Sequence, residues 1–213
     1  MVQPTVVKAT DLNLKDGLSF DLEAGVTSFR NTRLVLFDAD AMGLLRQSVF
    51  EQVGWDAARR IFFRFGFQHG FSDFLQVKLN HSFESELELL ASGPVMHTWQ
   101  GIVRAQPTEI EFDRATGHFH FTGDWLNSYE AQQFLTFNET SSSPVCWSLT
   151  GYATGWCSAF FERPLLAVES RCVGMGHETC GWLIRPEEAF GPDVAPLAAA
   201  IHDLRARVEG MVD

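Results

Sequence analysis

The sequence predicts an α+β fold in which helices and antiparallel strands surround an aromatic-lined interior. Three observations lead to this prediction. Apolar residues recur every three or four positions through much of residues 40–91, as on amphipathic helices. They alternate with polar residues through much of 95–125, as on half-buried strands. All four cysteines then lie between Cys146 and Cys180, where two strand-like segments flank a glycine turn and would form a hairpin.

Composition and charge indicate which classes of function the chain could have. The chain has 213 residues, 19 of them phenylalanine and 6 tryptophan, enough rings for both a core and an apolar pocket. A net charge of -11 argues against nucleic-acid binding, since phosphate contacts need basic patches. The sequence opens without a signal-peptide pattern and has no run of about 18 apolar residues. We therefore expect a cytoplasmic protein without a membrane span, in which thiols stay reduced.

The first half of the chain is predicted as a strand ribbon followed by helices. Residues 1–37 combine short strands with a turn near Gly25, and such a ribbon could complete a sheet or pair with a second subunit. Asp40 is the expected N-cap of the first helix. Gly66 and Gly70, one turn apart on the second, would let another backbone approach closely. The helices are predicted at residues 40–53, 56–74 and 84–91, the last stopped by Gly93 and Pro94.

The middle of the chain is predicted as β-structure. A strand over 95–104 would place His97 and Trp99 on one face, because side chains two apart share a face. A hairpin with its turn at 114–117 would point Phe121 inward, and the same parity extends to Trp125. His97 and Trp125 therefore converge on one apolar interior. Helices follow at about 128–136 and 144–163, and the tail after Pro186 has a four-three apolar spacing typical of a short coiled-coil seam, at Leu197, Ile201, Leu204, Val208 and Met211.

The cysteine hairpin has a specific chemistry. It would bring Cys172 and Cys180 together, and paired thiolates favour a metal such as zinc. Glu169 lies three residues before Cys172, so it could join them only if the strand carried a bulge or twist. Buried free thiols or a disulfide would also explain the cysteines. The spacing leaves the remaining ligands open among Cys146, Cys157, Glu169 and His177.

His97 and Trp125 could bind a ligand. Either residue alone would more often be part of a core, but each offers an N–H group inside an aromatic-rich interior. A phenolic hydroxyl held between an imidazole and an indole, with its ring packed by aromatic side chains, would be recognised well.

Three motifs resemble a known family. They are PVCW at 144–147, GYATGWCSAFFER at 151–163, and E-x-x-C-x-G-M-G-x-x-x-C over 169–180. They are similar to the sensory domain of XylR/DmpR-type regulators, which are sigma-54-dependent activators of phenol and aromatic-hydrocarbon catabolism. The resemblance covers roughly residues 34–186. It implies one structural zinc per chain, with Cys157 a buried helix thiol and His177 a turn residue, and the implied zinc ligands are Cys146, Glu169, Cys172 and Cys180.

The resemblance also implies an effector pocket. A His and a Trp at the positions of His97 and Trp125 hold the phenol hydroxyl in the family, and bulky or small residues at neighbouring positions here indicate a reshaped cavity. Gly123 and Ala167 are the small residues among these. The ligand-binding residues expected in this chain are His97, Trp99, Phe121, Trp125 and Trp156.

These expectations give a domain organisation and a function. We expect a dimerising ribbon over 1–37, an effector-binding lobe over 38–143, a zinc-binding lobe over 144–186, and a linker helix over 187–213 leading toward an ATPase domain. The chain would sense a small aromatic effector as a homodimer and relieve inhibition of that ATPase, without being an enzyme or contacting nucleic acid. Two alternatives stay open: a zinc-dependent enzyme acting on a small aromatic substrate, and a haem sensor with His97 as axial ligand.

Overall fold

A computed structural model describes residues 6–194, 197–199 and 201 and confirms the α+β class. The helices are α1 Ala39–Val53, α2 Trp55–Asn80, α3 Glu86–Trp99, α4 Tyr129–Phe137 and α5 Trp147–Phe161. The strands are β1 Val6–Val7, β2 Leu18–Asp21, β3 Val26–Phe29, β4 Thr32–Leu34, β5 Ser82–Phe83, β6 Arg104–Asp113, β7 His118–Leu126, β8 Leu165–Arg171 and β9 Cys180–Pro186. Among the described helices, none has the length and apolarity needed to cross a bilayer.

The main sheet has four antiparallel strands in the order β6-β7-β9-β8. Residues paired across neighbouring strands project from the same face, so the register defines rows of side chains. Three rows matter for the site: Phe121 with Ile184 and Ala167, Gly123 with Trp182 and Glu169, and Trp125 with Cys180. Helix α5 is joined to β8 through hydrogen bonds such as that from the Ala167 amide to the Thr154 hydroxyl, 2.9 Å long.

Helices α2 and α5 pack with their backbones in close contact. A Cβ atom on Gly66 would overlap the carbonyl oxygen of Ser148, and one on Gly70 would overlap that of Tyr152. Gly151 and Gly155 of α5 lie equally close to the backbone of α2. The predicted role of Gly66 and Gly70 is confirmed, and the close approach buries four phenylalanines of α2 in the core, Phe63, Phe67, Phe71 and Phe74.

Several predicted boundaries differ from the structure. The N-cap of α1 is Asp38, whose carboxylate accepts a 2.7 Å hydrogen bond from the Ala41 amide, and not Asp40. The last strand of the ribbon ends at Leu34, before the predicted end of the ribbon at residue 37. Within the ribbon, β2, β3 and β4 pair with one another and form a separate three-stranded sheet.

The largest correction concerns α3, which does not stop at Gly93 and Pro94 but continues to Trp99. Proline lacks the amide that would bond the carbonyl of Leu90 one turn earlier. The indole Nε1 of Trp156 donates to that carbonyl instead, at 3.2 Å. Gly93 leaves the space in which the Trp156 ring lies. A residue distant in sequence therefore compensates for the helix breaker, and His97 lies on a helix and not on a strand.

The tail is partly described. Residues 197–199 and 201 are helical, and Leu197 and Ile201 are 4% and 0% exposed, packed in the main core of this chain. The first two positions of the predicted coiled-coil seam are thus covered by the chain itself. The other three, Leu204, Val208 and Met211, lie outside the described residues.

Candidate metal cluster and aromatic cavity

Three cysteines and one glutamate converge beside the β8–β9 hairpin. Cys146 precedes α5, Glu169 belongs to β8, and Cys172 and Cys180 flank the turn between β8 and β9. One ligand atom from each lies within 4.8 Å of all the others, and the three cysteines are fully buried. Four parts of the chain are therefore brought to one point by side chains that bind metals.

The distances between the sulfur atoms fit a metal ion. The Cys146 Sγ lies 4.0 Å from that of Cys172 and 3.7 Å from that of Cys180, and the Cys172 and Cys180 sulfurs are 4.0 Å apart. Sulfurs arranged tetrahedrally at about 2.3 Å around zinc would be roughly 3.8 Å from one another. A disulfide needs about 2.05 Å between its sulfurs. The arrangement matches a metal site and not a disulfide.

Glu169 completes the set through an irregular strand. The β8–β9 register shifts between Glu169 and Arg171. This irregularity is the bulge that the sequence analysis required for Glu169 to join the cysteines. One carboxylate oxygen accepts a 3.1 Å hydrogen bond from the Cys146 amide, and the other, Oε1, is buried without a hydrogen-bond partner among the described residues. Burial raises the pKa of Glu169 to about 8, the expected response of a carboxylate enclosed without a cation. The four residues therefore fit a metal ion.

The other two candidate ligands lie apart from this set. The His177 ring is within 3.1 Å of both the amide and the carbonyl of Cys172, so it supports the turn. Cys157 is buried within α5, and burial raises the pKa of its thiol. Both residues are placed as predicted.

A buried ion pair supports the start of α5 next to Cys146. Arg46 of α1 lies 3.1 Å from the carboxylate of Glu130, and the two side chains are 7% and 0% exposed. The same carboxylate accepts hydrogen bonds of 2.9 and 3.1 Å from the Ser148 and Leu149 amides. Arg46 also donates to the carbonyl of Val145. The free amides at the helix start are thereby satisfied by a buried negative charge.

An aromatic-lined cavity lies between α3, α5 and the main sheet. Aromatic rings form most of its wall, with the aliphatic Ala105, Ala153 and Ile184 between them. The aromatic residues and the histidine that line it are His97, Phe121, Trp125, Tyr152, Trp156 and Trp182. The lining is almost entirely aromatic and apolar, which suits a small aromatic ligand.

His97 enters the cavity as a neutral imidazole. The ring is 3% exposed and stacks on Tyr152, with centroids 4.1 Å apart and planes 11° from parallel. Burial, with a smaller contribution from His69, lowers the pKa of His97 to about 3. A neutral imidazole has one donor and one acceptor nitrogen. The unprotonated ring nitrogen of the neutral His97 can therefore accept a hydrogen bond from a ligand hydroxyl.

A hydrogen-bond network holds Tyr152 under His97. Its hydroxyl donates to Asp73 at 3.0 Å, and Asp73 also accepts from the Gln100 side chain at 2.5 Å. The His69 ring nitrogen lies 3.4 Å from the same carboxylate. Since the hydrogen bond to Asp73 fixes the position of Tyr152, the imidazole stacked on its ring also has a defined position.

Comparisons with known proteins agree with this arrangement. The family model described as "Activator of aromatic catabolism" matches residues 13–113. The crystal structure of the phenol-responsive sensory domain of the transcription activator PoxR, with phenol, is 34% identical and superposes with a TM-score of 0.82. That match covers 87% of this chain and 92% of the PoxR domain. The chain belongs to this family of activators of aromatic catabolism.

Two curated members of the family are similar over most of this chain. The phenol regulator MopR of Acinetobacter guillouiae is 30% identical over 174 residues, which are 82% of this chain and 31% of MopR. The transcriptional regulatory protein XylR of Pseudomonas putida is 27% identical over 188 residues, covering 88% of this chain and 33% of XylR. The chain thus spans about a third of the length of these relatives.

Four of the five ligand-binding residues expected from the family resemblance line the cavity: His97, Phe121, Trp125 and Trp156. Trp99 does not. It is 41% exposed, and its indole donates to the Leu12 carbonyl at 3.1 Å. The prediction assumed a strand, where side chains two apart share a face, whereas on a helix they point about 200° apart. The helical continuation of α3 therefore separates Trp99 from His97.

Sequence reasoning missed two parts of this site. Trp182 lines the cavity, and its alternation with Cys180 along β9 could have placed it on the same sheet face. No sequence pattern could have predicted the Arg46–Glu130 pair, because the two residues are 84 positions apart and meet only through the packing of α1 against α4.

Proposed function

We propose that this chain is the effector-binding sensory domain of a transcriptional activator, and that its effector is a small aromatic molecule with a phenolic hydroxyl. The observation that carries the proposal is the ring-walled cavity that contains a buried, neutral imidazole and an indole N–H. The description of the similar PoxR domain as phenol-responsive supports the same chemistry.

In this proposal His97 and Trp125 hold the effector hydroxyl from two sides. The hydroxyl donates to the unprotonated ring nitrogen of His97, and its oxygen accepts from the Trp125 indole. Phe121 and Trp156 pack against the effector ring, where apolar burial supplies most of the affinity. A protonated imidazole could not accept the hydroxyl proton, so the low pKa of His97 keeps the site competent at neutral pH.

We assign the metal cluster to one structural zinc ion. Cys146, Glu169, Cys172 and Cys180 would hold it, and it would supply a fixed link between the start of α5 and the β8–β9 hairpin. Four protein ligands fill a tetrahedral shell, which is typical of structural zinc, whereas catalytic zinc keeps a position open. A structural ion favours a regulatory role for the domain and not an enzymatic one.

We further propose the organisation expected from the sequence. Residues 1–37 would form a dimerisation ribbon, 38–143 the effector lobe, 144–186 the zinc lobe, and 187–213 the link to an ATPase domain whose inhibition the effector relieves. A homodimer is supported by exposed large apolar side chains within the ribbon, which would be costly to leave in water, at Phe20, Leu22, Val35, Leu36 and Phe37. Four reduced cysteines agree with a cytoplasmic protein.

The test compares phenol with toluene, which lacks the hydroxyl. In calorimetry, His97→Ala should weaken phenol binding about five- to 150-fold, because its hydroxyl loses a partner worth about 1–3 kcal/mol. Toluene, which binds through ring contacts alone, should lose far less. Trp99→Phe is the control, since Trp99 lies outside the cavity, and it should leave both affinities unchanged within about twofold. Equal weakening of phenol and toluene by His97→Ala would mean that His97 only packs.

A further inference from the structure

Trp182 differs from the neighbouring tryptophan in how its N–H group is satisfied. Trp156 and Trp182 both line the cavity, and both are nearly fully buried, at 1% and 4% exposure. The Trp156 indole donates to the Leu90 carbonyl. The Trp182 Nε1 is buried and has no hydrogen-bond partner in the part of the chain that the structure describes. Buried indole N–H groups usually find an acceptor, so this unpaired donor requires an explanation.

The position of the Trp182 ring is fixed by its surroundings. Gly123 pairs with Trp182 across β7 and β9, and a Cβ on Gly123 would overlap the Cζ2 and Cε2 atoms of the ring, the edge that bears Nε1. Phe121 contacts the ring edge to face, with centroids 4.8 Å apart. Trp125 lies on its other neighbouring row, with centroids 6.0 Å apart and planes 31° from parallel. The unpaired donor is thus held at the cavity wall and is not free to rotate toward solvent.

Two indole donors therefore stand side by side on one wall. Trp125 is the residue to which the effector hydroxyl was assigned, and Trp182 lines the same cavity with its N–H unpaired among the described residues. A single phenolic hydroxyl that bonds His97 and Trp125 leaves Trp182 unpaired. A second acceptor on the neighbouring carbon of the effector ring would pair it and recover the free energy lost by its burial.

We propose that Trp182 is a second polar anchor, and that the cavity selects phenols carrying an oxygen acceptor beside the hydroxyl over phenols that carry an apolar group there. This inference rests on the proposed function and names the effector class within it. It concerns a residue two positions from the metal ligand Cys180 and paired across the sheet with Glu169, so an effector bound to Trp182 would also contact the wall that the metal cluster holds.

The experiment uses two phenols of nearly equal size, 2-methoxyphenol and 2-ethylphenol, with phenol as reference. Calorimetry on the wild-type protein should show 2-methoxyphenol binding on the order of tenfold tighter than 2-ethylphenol, the scale of one well-made hydrogen bond. Trp182→Phe keeps a ring but removes the donor, and it should reduce this preference to within about twofold.

Trp156→Phe is the matched control, because it removes an indole N–H from the same cavity that is already bonded to the backbone. It should weaken 2-methoxyphenol and 2-ethylphenol equally and leave the preference intact. Phenol binding without a preference for 2-methoxyphenol in the wild type overturns the inference and leaves the proposed function standing, even if Trp182→Phe fails to fold. Equal weakening of both phenols by Trp182→Phe also overturns it. No binding of any of the three by the wild type overturns the proposed function and this inference together.

Discussion

The metal cluster and the aromatic cavity share β9 and α5 but treat their polar groups in opposite ways. In the cluster, four ligand atoms approach within 4.8 Å of one another, so one ion can satisfy all of them. In the cavity, the imidazole of His97 and the indole of Trp182 line one space, and the Trp182 donor has no partner among the described residues. The cluster converges on a point, whereas the cavity surrounds a space.

This difference indicates two different lifetimes for the occupants. A buried ion held by three thiolates and a carboxylate would become part of the folded structure, because the ligands repel one another or stay unsatisfied without it. A neutral guest held by one or two hydrogen bonds and ring contacts can enter and leave. We infer that the cluster fixes the part of the sheet that carries Trp125 and Trp182, which pair across the strands with Cys180 and Glu169 respectively, and that the cavity exchanges its ligand against this wall.

The largest effect is expected from removing a ligand of the cluster. Cys172→Ala should give metal-free protein that is unfolded or insoluble, since a structural zinc can contribute about 10 kcal/mol, comparable with the whole stability of a domain. Cys157→Ala removes an equally buried thiol outside the cluster and should cost on the order of 1 kcal/mol. Elemental analysis of both variants checks this. A full equivalent of zinc in soluble Cys172→Ala would refute the ligand assignment.

A smaller effect should come from the ion pair that supports α5 beside the cluster. Glu130→Gln leaves the Arg46 charge buried and unpaired, so we expect a loss of about 3–5 kcal/mol in the free energy of unfolding, measured with urea. Glu86→Gln is the control, because the Glu86–Arg114 pair is 58% and 38% exposed and should contribute less than about 1 kcal/mol. Similar losses in both variants would mean that burial of the Arg46 pair has no special role.

The smallest effect concerns pH and belongs to the cavity. The pKa of His97 is about 3 in the fold and near 6.5 when unfolded, so the unfolded chain binds more protons between these values. Stability must then fall as pH drops below about 6.5, by about 2 kcal/mol from this residue between pH 7 and pH 5. Between pH 7 and pH 5, the free energy of unfolding of His97→Gln, measured with urea, should fall by about 2 kcal/mol less than that of the wild type, because glutamine does not titrate.

The exposed His118 supplies the control for the pH experiment. His118→Gln makes the same substitution at an exposed position, so it shows how much of any change comes from losing a histidine as such. Loss of thiolate ligation at low pH affects all three proteins alike and cancels in the comparison. If His97→Gln and the wild type lose the same stability between pH 7 and pH 5, the imidazole is not held neutral by burial.

The two regions also differ in how far the sequence predicts them. The family motifs identified all four residues that the structure brings together in the cluster, and the period of the strand anticipated the bulge that brings Glu169 to it. Parity along β7 placed Phe121 and Trp125 inward, as observed. The sequence did not predict that α3 continues through Pro94, because the compensating donor, Trp156, is 66 residues away from the Leu90 carbonyl. The alternation of residues along a strand predicts which side chains share a face. A hydrogen bond between residues far apart in sequence can be identified only once the packing of the chain is known.

The most direct test of the account is a crystal structure grown with phenol, with diffraction recorded at the zinc absorption edge. We expect an anomalous peak among Cys146, Glu169, Cys172 and Cys180, and separate density for phenol in the cavity with its oxygen within hydrogen-bond distance of His97 and Trp125. Phenol bound to the metal ion, or an ion with an open ligand position, would contradict the account and favour an enzyme. Phenol absent from the cavity at saturating concentration would contradict the assignment of the cavity.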